Sequence, residues 1–291
     1  MTFSQTKTLK LPTKQGILTL PILTDDEFSW VEANATKRLD RCPTCDGKRI
    51  DGNDAGRISA SGDHYGEVTG QYRYLDRVHE CDCPEQMALY RHYTAARIGE
   101  QYMRLDWAED YSGDVEAKRV IDMYCEKWKN ARQNGMGLTL WSNGVGTGKT
   151  FGATHIAKYL IKRGQRVRLI HFDDIVTTAI DGTVEQMDEL QRMPFLILDE
   201  VWYNPRQSEA QKALFGEHFE RLIRYRTNRN VPTILTTNFS PEQLGTHWPR
   251  INSLLSAKQF VVEFHGMDYR LGQSVIDNKE LFMNNEVRPI K

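Results

Sequence analysis

The sequence has no long hydrophobic run, little net charge and few cysteines, and each absence excludes a class of protein. No stretch of about 18 apolar residues is present, so a membrane-spanning helix is not expected. The formal net charge of -1 excludes a uniformly cationic nucleic-acid coat protein but allows a local basic patch. Five cysteines in 291 residues are too few for a disulfide scaffold, so their spacing decides their role.

The amino terminus also lacks the features of a secretory signal. Residues 1–16 contain lysine but no apolar core followed by a small-residue cleavage site. We therefore expect a cytoplasmic protein without a membrane association. Its 40% hydrophobic and 26% charged residues are typical of globular domains, and its length allows one ordinary domain plus a smaller module.

Composition divides the chain into three parts. Residues 1–107 include a segment from Cys42 to Cys83 that is rich in glycine and aspartate and poor in aliphatic residues. Such a segment buries little apolar surface and needs another source of stability to fold. Residues 108–272 alternate short apolar runs with helical stretches, and residues 273–291 form a polar tail. We predict an amino-terminal module, a larger domain and a carboxyl-terminal tail with these bounds.

Local patterns predict the main elements of the module. Residues 1–23 are typical of an arm or a strand. Thr24 and Glu27 have capping-box spacing, which predicts a helix that begins there and runs toward Lys37. Residues 85–103 show helical periodicity.

Five short apolar runs predict the strands of the larger domain. They are GLTLWS, VRLIHF, FLILDE, TILTTN and QFVVEF, at residues 137–142, 167–172, 195–200, 233–238 and 259–264. Each run is short enough for a buried strand, and helical stretches separate the runs. This alternation predicts an α/β fold with a parallel sheet covered by helices on both faces.

A glycine-rich segment between the first strand and a helix has the context of a phosphate-binding loop. Its candidate nucleotide-binding residues are Asn143, Gly144, Val145, Gly146, Thr147, Gly148, Lys149 and Thr150. Such a loop turns backbone N–H groups toward phosphate, while Lys149 reaches the β- and γ-phosphates of ATP and Thr150 holds Mg²⁺. Asn143 replaces the usual first glycine, and asparagine tolerates left-handed backbone. The alternative is a glycine-rich turn that caps a helix.

Polar residues end two of the other strands. Asp199 and Glu200 close FLILDE, where an aspartate is expected to contact Mg²⁺ and a glutamate to activate the attacking water. Asn238 closes TILTTN and is expected to hold that water or the γ-phosphate, because ligands bind at the carboxyl ends of parallel strands. Taken alone, the acidic pair is more typical of a helix cap or a surface pair, and Asn238 of a turn after a strand. The order of both motifs after the phosphate loop favours the nucleotide-site interpretation instead.

The order of these motifs over about residues 90–272 resembles the DnaC/DnaI-type bacterial and phage helicase loaders and the related IstB transposition ATPases. The resemblance rests on WSNGVGTGKT, FLILDE, LIRYRTNRNVPTILTTNFSPEQL and FHGMDYR. It implies an AAA+ ATPase domain that hydrolyses ATP, with Asn238 as the sensor 1 residue. Arg270 matches the sensor 2 arginine of the family's G-x-S-Y-R ending, in which Asp268 here replaces serine.

The resemblance also implies an arginine finger that acts on the nucleotide of a neighbouring subunit. The family's R-x-x-x-R-L pattern corresponds to Arg250 and its followers, with Leu254 in place of the second arginine. Arg224, in the family's R-Y pair, is the other candidate. A solvated helix residue is the alternative reading of Arg250.

The cysteine spacing predicts a zinc site. The proposed ligands are Cys42, Cys45, Cys81 and Cys83, a set of four thiolates that suits tetrahedral Zn²⁺. The second pair is C-x-C rather than C-x-x-C, so His79 is a credible substitute for one cysteine. The alternative is a set of free structural thiols. Cys125 lies in a helical pattern and is predicted to be core.

Loaders of this type carry an amino-terminal zinc module that docks on the replicative helicase. The resemblance therefore implies a hexameric DnaB-type helicase, single-stranded DNA and an ATP-bound homo-oligomer as partners. The candidate DNA contacts are Arg221, Arg224, Arg226 and Arg229 around Tyr225, with a solvated helix end or a subunit contact as the alternative. Two competing functions stay open: an IstB-like transposition ATPase, and a zinc-fastened adaptor that binds nucleotide with negligible turnover.

Overall fold

The chain divides into two compact units in this computed structural model, which describes residues 7–13, 15–34, 65–68, 71–74, 82–180, 184–202, 208–266, 268 and 289–291. The first unit comprises Met1–Asp106, Lys158–Arg166 and Ile276–Lys291, and the second comprises Trp107–Ala157 and Val167–Val275. The division after Asp106 lies next to the predicted boundary. Composition did not indicate the two later segments of the first unit.

The first unit begins with a β-hairpin, in agreement with the predicted arm or strand. Strand β1 (Thr8–Thr13) pairs antiparallel with β2 (Gly16–Pro21). The Thr13 hydroxyl donates to the Gly16 carbonyl at 3.0 Å across the turn. Leu11 and Leu20, one from each strand, are fully buried and anchor the hairpin.

Helix α1 (Asp25–Asn34) begins with the predicted capping box. The Thr24 N–H donates to Glu27 Oε2 at 2.9 Å, and the Glu27 N–H donates to Thr24 Oγ1 at 3.3 Å. Two backbone donors that the helix cannot satisfy are thereby paired. The buried Glu27 carboxylate also accepts from Arg166 at 2.9 Å, which ties the Lys158–Arg166 segment into this unit. The predicted continuation to Lys37 lies outside the described residues.

Further described residues of the first unit form a short strand pair and two helices. Strands β3 (Tyr65–Val68) and β4 (Gln71–Tyr74) pair antiparallel and lie within the segment from Cys42 to Cys83. Helices α2 (Cys83–Ala95) and α3 (Glu100–Met103) confirm the helical prediction for residues 85–103, with a break between them.

Three helices lead the second unit into its sheet. They are α4 (Trp107–Asp110), α5 (Val115–Glu126) and α6 (Trp128–Asn134). Asp114 caps α5 by accepting from Glu116 N at 2.9 Å and Ala117 N at 3.0 Å, and it accepts from His265 N as well. Cys125 is buried, which confirms its prediction as a core residue.

The sheet of the second unit is five-stranded and parallel, as the sequence predicts. Its strands are β5 (Gly137–Trp141), β6 (Val167–His171), β7 (Phe195–Val201), β8 (Thr233–Thr237) and β9 (Gln259–Glu263). Their spatial order is β6-β7-β8-β5-β9, and every pairing is parallel. The chain leaves β5 for the far edge and returns through β8 to its side. The strand order therefore reverses at β5, where ligands of open α/β sheets bind.

Helices alternate with the strands. They are α7 (Lys149–Ile161), α8 (Phe172–Ile180), α9 (Val184–Arg192), α10 (Glu209–Asn228), α11 (Pro241–His247) and α12 (Pro249–Ser256). Phe172, Phe219 and Trp248 meet edge to face in an aromatic core that includes Leu198 and Leu235 of the sheet. Across the described part of the chain, no helix is long and apolar enough to cross a membrane.

Candidate nucleotide site

The glycine-rich loop joins β5 to the first turn of α7, as a phosphate-binding loop requires. Gly146 and Gly148 have φ values of +70° and +97°, so both positions need the left-handed backbone that glycine adopts without strain. Asn143 does not have a positive φ. The reason that we predicted for its tolerance, its ease in left-handed backbone, is therefore wrong. The first position of this loop does not require a residue that favours such a conformation.

Lys149 is buried in the loop, and its ammonium group lies among oxygen atoms. Its Nζ donates to Ser142 Oγ at 2.6 Å, to the Gly144 carbonyl at 2.9 Å and to Thr147 Oγ1 at 3.3 Å. Phosphate oxygens are stronger acceptors for this cation than hydroxyl or carbonyl groups. Ser142 was missed by the sequence analysis, although its place directly after β5 and before the loop was a usable signal.

Asp199 and Thr150, the two predicted magnesium ligands, lie together. The Thr150 hydroxyl donates to Asp199 Oδ1 at 3.0 Å, and the Thr236 hydroxyl donates to the same oxygen at 2.5 Å. The Asp199 side chain is buried at the end of β7, between strands β6 and β8. A carboxylate and a hydroxyl oxygen at this edge are the hard ligands that Mg²⁺ prefers. The donor set therefore fits the cation that the loop implies.

Glu200 follows Asp199 but differs from it in environment. Its side chain is exposed, and its backbone is left-handed with φ of +57°, which is unusual for a residue with a Cβ. The Glu200 N–H donates to Thr236 Oγ1 at 2.9 Å. An exposed carboxylate beside a buried one suits two roles, one at a metal and one at water.

The structure gives fewer contacts for the other predicted site residues, and one of these residues lies outside the described ranges. Asn238 is exposed directly after β8, at the same edge of the sheet as Asp199. Arg250 is 80% exposed on α12, and its Nη1 lies 3.8 Å from Glu220 Oε2. Arg224, the other finger candidate, donates to the same Glu220 carboxylate at 2.6 Å. The predicted sensor 2 residue, Arg270, lies outside the described residues.

Asp268 lies directly against the phosphate loop. A Cβ added to Gly146 would overlap the Asp268 carboxyl group. The loop is thus closed to any side chain at Gly146, both by its positive φ and by this carboxylate. Asp268 places a negative charge at a site whose backbone geometry favours anions.

Aromatic rings pack against the phosphate loop at Gly148. The ring of Tyr111 stacks on Trp107 at 4.2 Å between centroids, and a Cβ on Gly148 would meet the Tyr111 ring. Trp107 in turn contacts Phe151 and His155 of α7. These rings hold the first turns of the helix that presents Lys149.

One member of the predicted DNA-contact cluster is buried instead. Arg226 donates from Nε to Thr233 Oγ1 at 2.8 Å. Its Nη1 and Nη2 donate to the carbonyls of Leu190, Gln191, Met193 and Pro232. Burial, with a smaller effect of Arg132, lowers the pKa of Arg226 to about 9. The prediction that Arg226 contacts DNA is therefore wrong, because the side chain is fully buried and each of its three nitrogens donates inside the fold.

The predicted zinc ligands cannot be placed. Cys42, Cys45, His79 and Cys81 lie outside the described residues, and for Cys83 only the backbone at the start of α2 is described. Within the described ranges, no group of three or more histidine, cysteine or acidic side chains is arranged to hold a metal. The zinc site stays a prediction.

Comparison with known proteins identifies the family. The model of the IstB-like ATP-binding proteins matches residues 85–252, more than half of the chain. The chain belongs to this family. The matched range of this IstB-like protein includes the phosphate loop, the Asp199–Glu200 pair and Asn238.

Individual relatives share a low sequence identity with this IstB-like chain. It is 26% identical over 156 residues to the replicative helicase loader DnaI of Bacillus subtilis strain 168, an alignment that covers 52% of this chain and 48% of the relative. The chain thus spans about half the length of the curated relative that it matches. It is 21% identical to the crystal structures of the DnaC helicase loader and of DnaI, each with a TM-score of 0.49. The matches cover 57% of this chain and 100% of DnaC, and 59% of this chain and 93% of DnaI.

Proposed function

We propose that this IstB-like protein hydrolyses ATP at the loop between β5 and α7. The observation that carries the proposal is the convergence of Lys149, Thr150 and Asp199. The loop cation lies among oxygen atoms, and the Thr150 hydroxyl is 3.0 Å from the Asp199 carboxylate at the same sheet edge. Phosphoryl transfer needs mainly positioning and charge stabilisation, which these three groups supply.

Each residue has a distinct part in the proposed reaction. The loop N–H groups and Lys149 bind the triphosphate, and Thr150 and Asp199 would hold Mg²⁺, which neutralises charge on the phosphate oxygens. Glu200 accepts the proton of the attacking water, for which its exposed carboxylate is suited. Asn238 orients that water or the γ-phosphate from the end of β8. Arg270 contributes a second cation, and Arg250 or Arg224 acts on the nucleotide of a neighbouring subunit.

Phosphate release with matched variants tests the ATPase proposal. Glu200→Gln keeps the shape of the side chain but removes the base, so kcat should fall about 100-fold or more while ATP still binds. Lys149→Ala should abolish detectable ATP binding. Lys129→Ala, a change of an exposed lysine on α6, serves as the control. Unchanged phosphate release in Glu200→Gln would rule out the assigned base, and unchanged ATP binding in Lys149→Ala would rule out the site.

We further propose that ATP turnover serves the loading of a replicative helicase. The support is the relative from Bacillus subtilis, which is a replicative helicase loader. In this proposal the ATP-bound protein forms a homo-oligomer, the zinc module of residues 1–107 docks on a hexameric DnaB-type helicase, and the 108–272 ATPase domain contacts single-stranded DNA. The exposed Arg221, Arg224 and Arg229 stay candidates for that contact.

Co-purification with the cognate helicase tests the loading proposal. The full chain should retain the helicase, and the retained amount should change between ATP and no nucleotide. Failure to retain the helicase in either state, by a chain that still hydrolyses ATP, would contradict loading and leave the ATPase proposal intact.

A second function is favoured by the family itself. The matching family model is that of IstB-like ATP-binding proteins, so a transposition ATPase that binds duplex DNA and a transposase is the competing candidate. Retention of a transposase rather than a helicase in the same experiment would select it. A nucleotide-binding adaptor with negligible turnover would instead bind ATP but release no phosphate.

A further inference from the structure

The strand pair that carries the acidic residues contains a bulge. Strands β7 and β8 keep a regular register from Leu196 opposite Thr233 to Leu198 opposite Leu235, and pairing resumes with Val201 opposite Thr237. Two residues of β7, Asp199 and Glu200, therefore face the single residue Thr236 of β8. Bulges are rare in parallel pairs and re-aim side chains near active sites.

The Thr236 hydroxyl bridges the two bulged residues. It accepts the Glu200 N–H at 2.9 Å and donates its own hydrogen to Asp199 Oδ1 at 2.5 Å. Thr236 is buried, so water does not compete for these bonds. One side-chain oxygen thus bonds the backbone of one bulged residue and the carboxylate of the other.

The bond to the Glu200 N–H stabilises an unfavourable backbone. A left-handed φ of +57° is costly for glutamate and persists only when neighbouring groups hold it. Without the hydroxyl, the Glu200 amide would be left without this acceptor, and the backbone would gain from relaxing to a more favourable φ. Relaxation of this φ would change the direction of the Glu200 side chain, because the direction of Cβ follows the backbone dihedral angles.

The bond to Asp199 fixes a carboxylate that is shared with Thr150. Both hydroxyls donate to Oδ1, which restricts rotation of the carboxyl group and leaves the lone pairs of Oδ2 outside these two bonds. We propose that Thr236 is a positioning residue. Its hydroxyl fixes both the orientation of the metal-binding Asp199 carboxylate and the direction of the catalytic Glu200 side chain. This inference rests on the proposed ATPase function and assigns Thr236 no contact with the reacting atoms.

Steady-state ATP hydrolysis by the full-length Thr236→Val variant tests the proposal, since valine keeps the shape and removes the hydroxyl. We expect kcat to fall about 10- to 100-fold, KM for ATP to change less than about threefold, and the Mg²⁺ concentration for half-maximal rate to rise. Thr236→Ser keeps the hydroxyl and should restore kcat to within about twofold. Thr139→Val is the matched control, because Thr139 is a buried threonine of the same sheet that bonds Gln259 instead.

A double-mutant cycle separates positioning from general destabilisation. If Thr236 acts through Glu200 as well as through Asp199, Thr236→Val should cause a smaller loss of kcat in the Glu200→Gln background than in the wild-type background. Wild-type kcat and Mg²⁺ dependence in a folded Thr236→Val variant would overturn the proposal, as would equal losses in both backgrounds. If Thr236→Val does not fold, a folded Thr236→Ser variant with a kcat loss above about tenfold would overturn it equally. Absence of any hydrolysis by the wild-type protein would instead contradict the proposed function.

Discussion

At the residue scale, Asp268 is the side chain whose charge is least favourable for the proposed binding of ATP. Its carboxylate lies against Gly146, within a loop that is otherwise built to bind phosphate. The sequence pattern that this segment resembles has serine here, so that pattern does not predict the negative charge. Two like charges near one site repel each other, and the repulsion is stronger where water is partly excluded.

We predict that replacing Asp268 strengthens nucleotide binding. Asp268→Asn and Asp268→Ser remove the charge and should lower the Kd for ATP about three- to tenfold at low salt, with a smaller gain at high salt. Titration of a fluorescent ATP analogue measures the effect. Glu126→Gln is the control, since it removes an exposed carboxylate at the carboxyl end of α5, outside the phosphate loop. Weaker binding in the Asp268 variants would show that the carboxylate assists the nucleotide.

At the scale of elements, Arg226 joins a helix end to the sheet. The carbonyls of Leu190, Gln191 and Met193 lie at the carboxyl end of α9, where backbone acceptors have no partner within the helix. Arg226 extends from α10 and supplies donors to all three. Its planar, forked guanidinium reaches several acceptors together, which a lysine ammonium does not do with the same geometry.

We predict that Arg226 contributes to stability and not to DNA binding. Arg226→Met should lower the free energy of unfolding by about 3 kcal/mol, because several buried carbonyls lose their donor. Urea unfolding followed by circular dichroism measures this loss. Arg221→Met, an exposed change on the same helix, should alter stability by less than about 0.5 kcal/mol. A similar stability in both variants would contradict the assigned role.

At the scale of the whole molecule, the two units are expected to depend on different interactions for their stability. The second unit contains the five-stranded sheet and the candidate nucleotide site. The first unit includes the segment of low aliphatic content, for which we predict a zinc fastening. A bound metal that supplies folding energy to a small module should be needed for docking but not for nucleotide binding.

We therefore predict that loss of the zinc from the zinc module of residues 1–107 leaves ATP binding at the nucleotide site unchanged. Cys42→Ser with Cys45→Ser should remove about one zinc ion per chain and abolish retention of the helicase, while the Kd for ATP stays within about twofold. Metal analysis, the co-purification above and nucleotide titration measure the three quantities. Cys125→Ala controls for loss of a cysteine outside the proposed set. Full zinc content in the double variant would contradict the ligand assignment.

Much of the second unit could be predicted because its signals are local. Short apolar runs determine the five strands, and the glycines and Lys149 of the loop follow one of them directly. The carboxyl ends of parallel strands meet at one edge, so Asp199 and Asn238 could be placed near the loop before the structure was known. The capping box of Thr24 and Glu27 was likewise predicted from its spacing.

The sequence by itself thus determined the strands of the second unit, their parallel arrangement and the chemical type of the site. Only the tertiary structure decided the bulge opposite Thr236, the burial of Arg226 and the approach of Asp268 to Gly146. Each of these depends on strand register or on a partner far away in the chain, and periodicity carries no information about either. Local patterns specify which residues form an element, whereas packing specifies which of their polar groups meet.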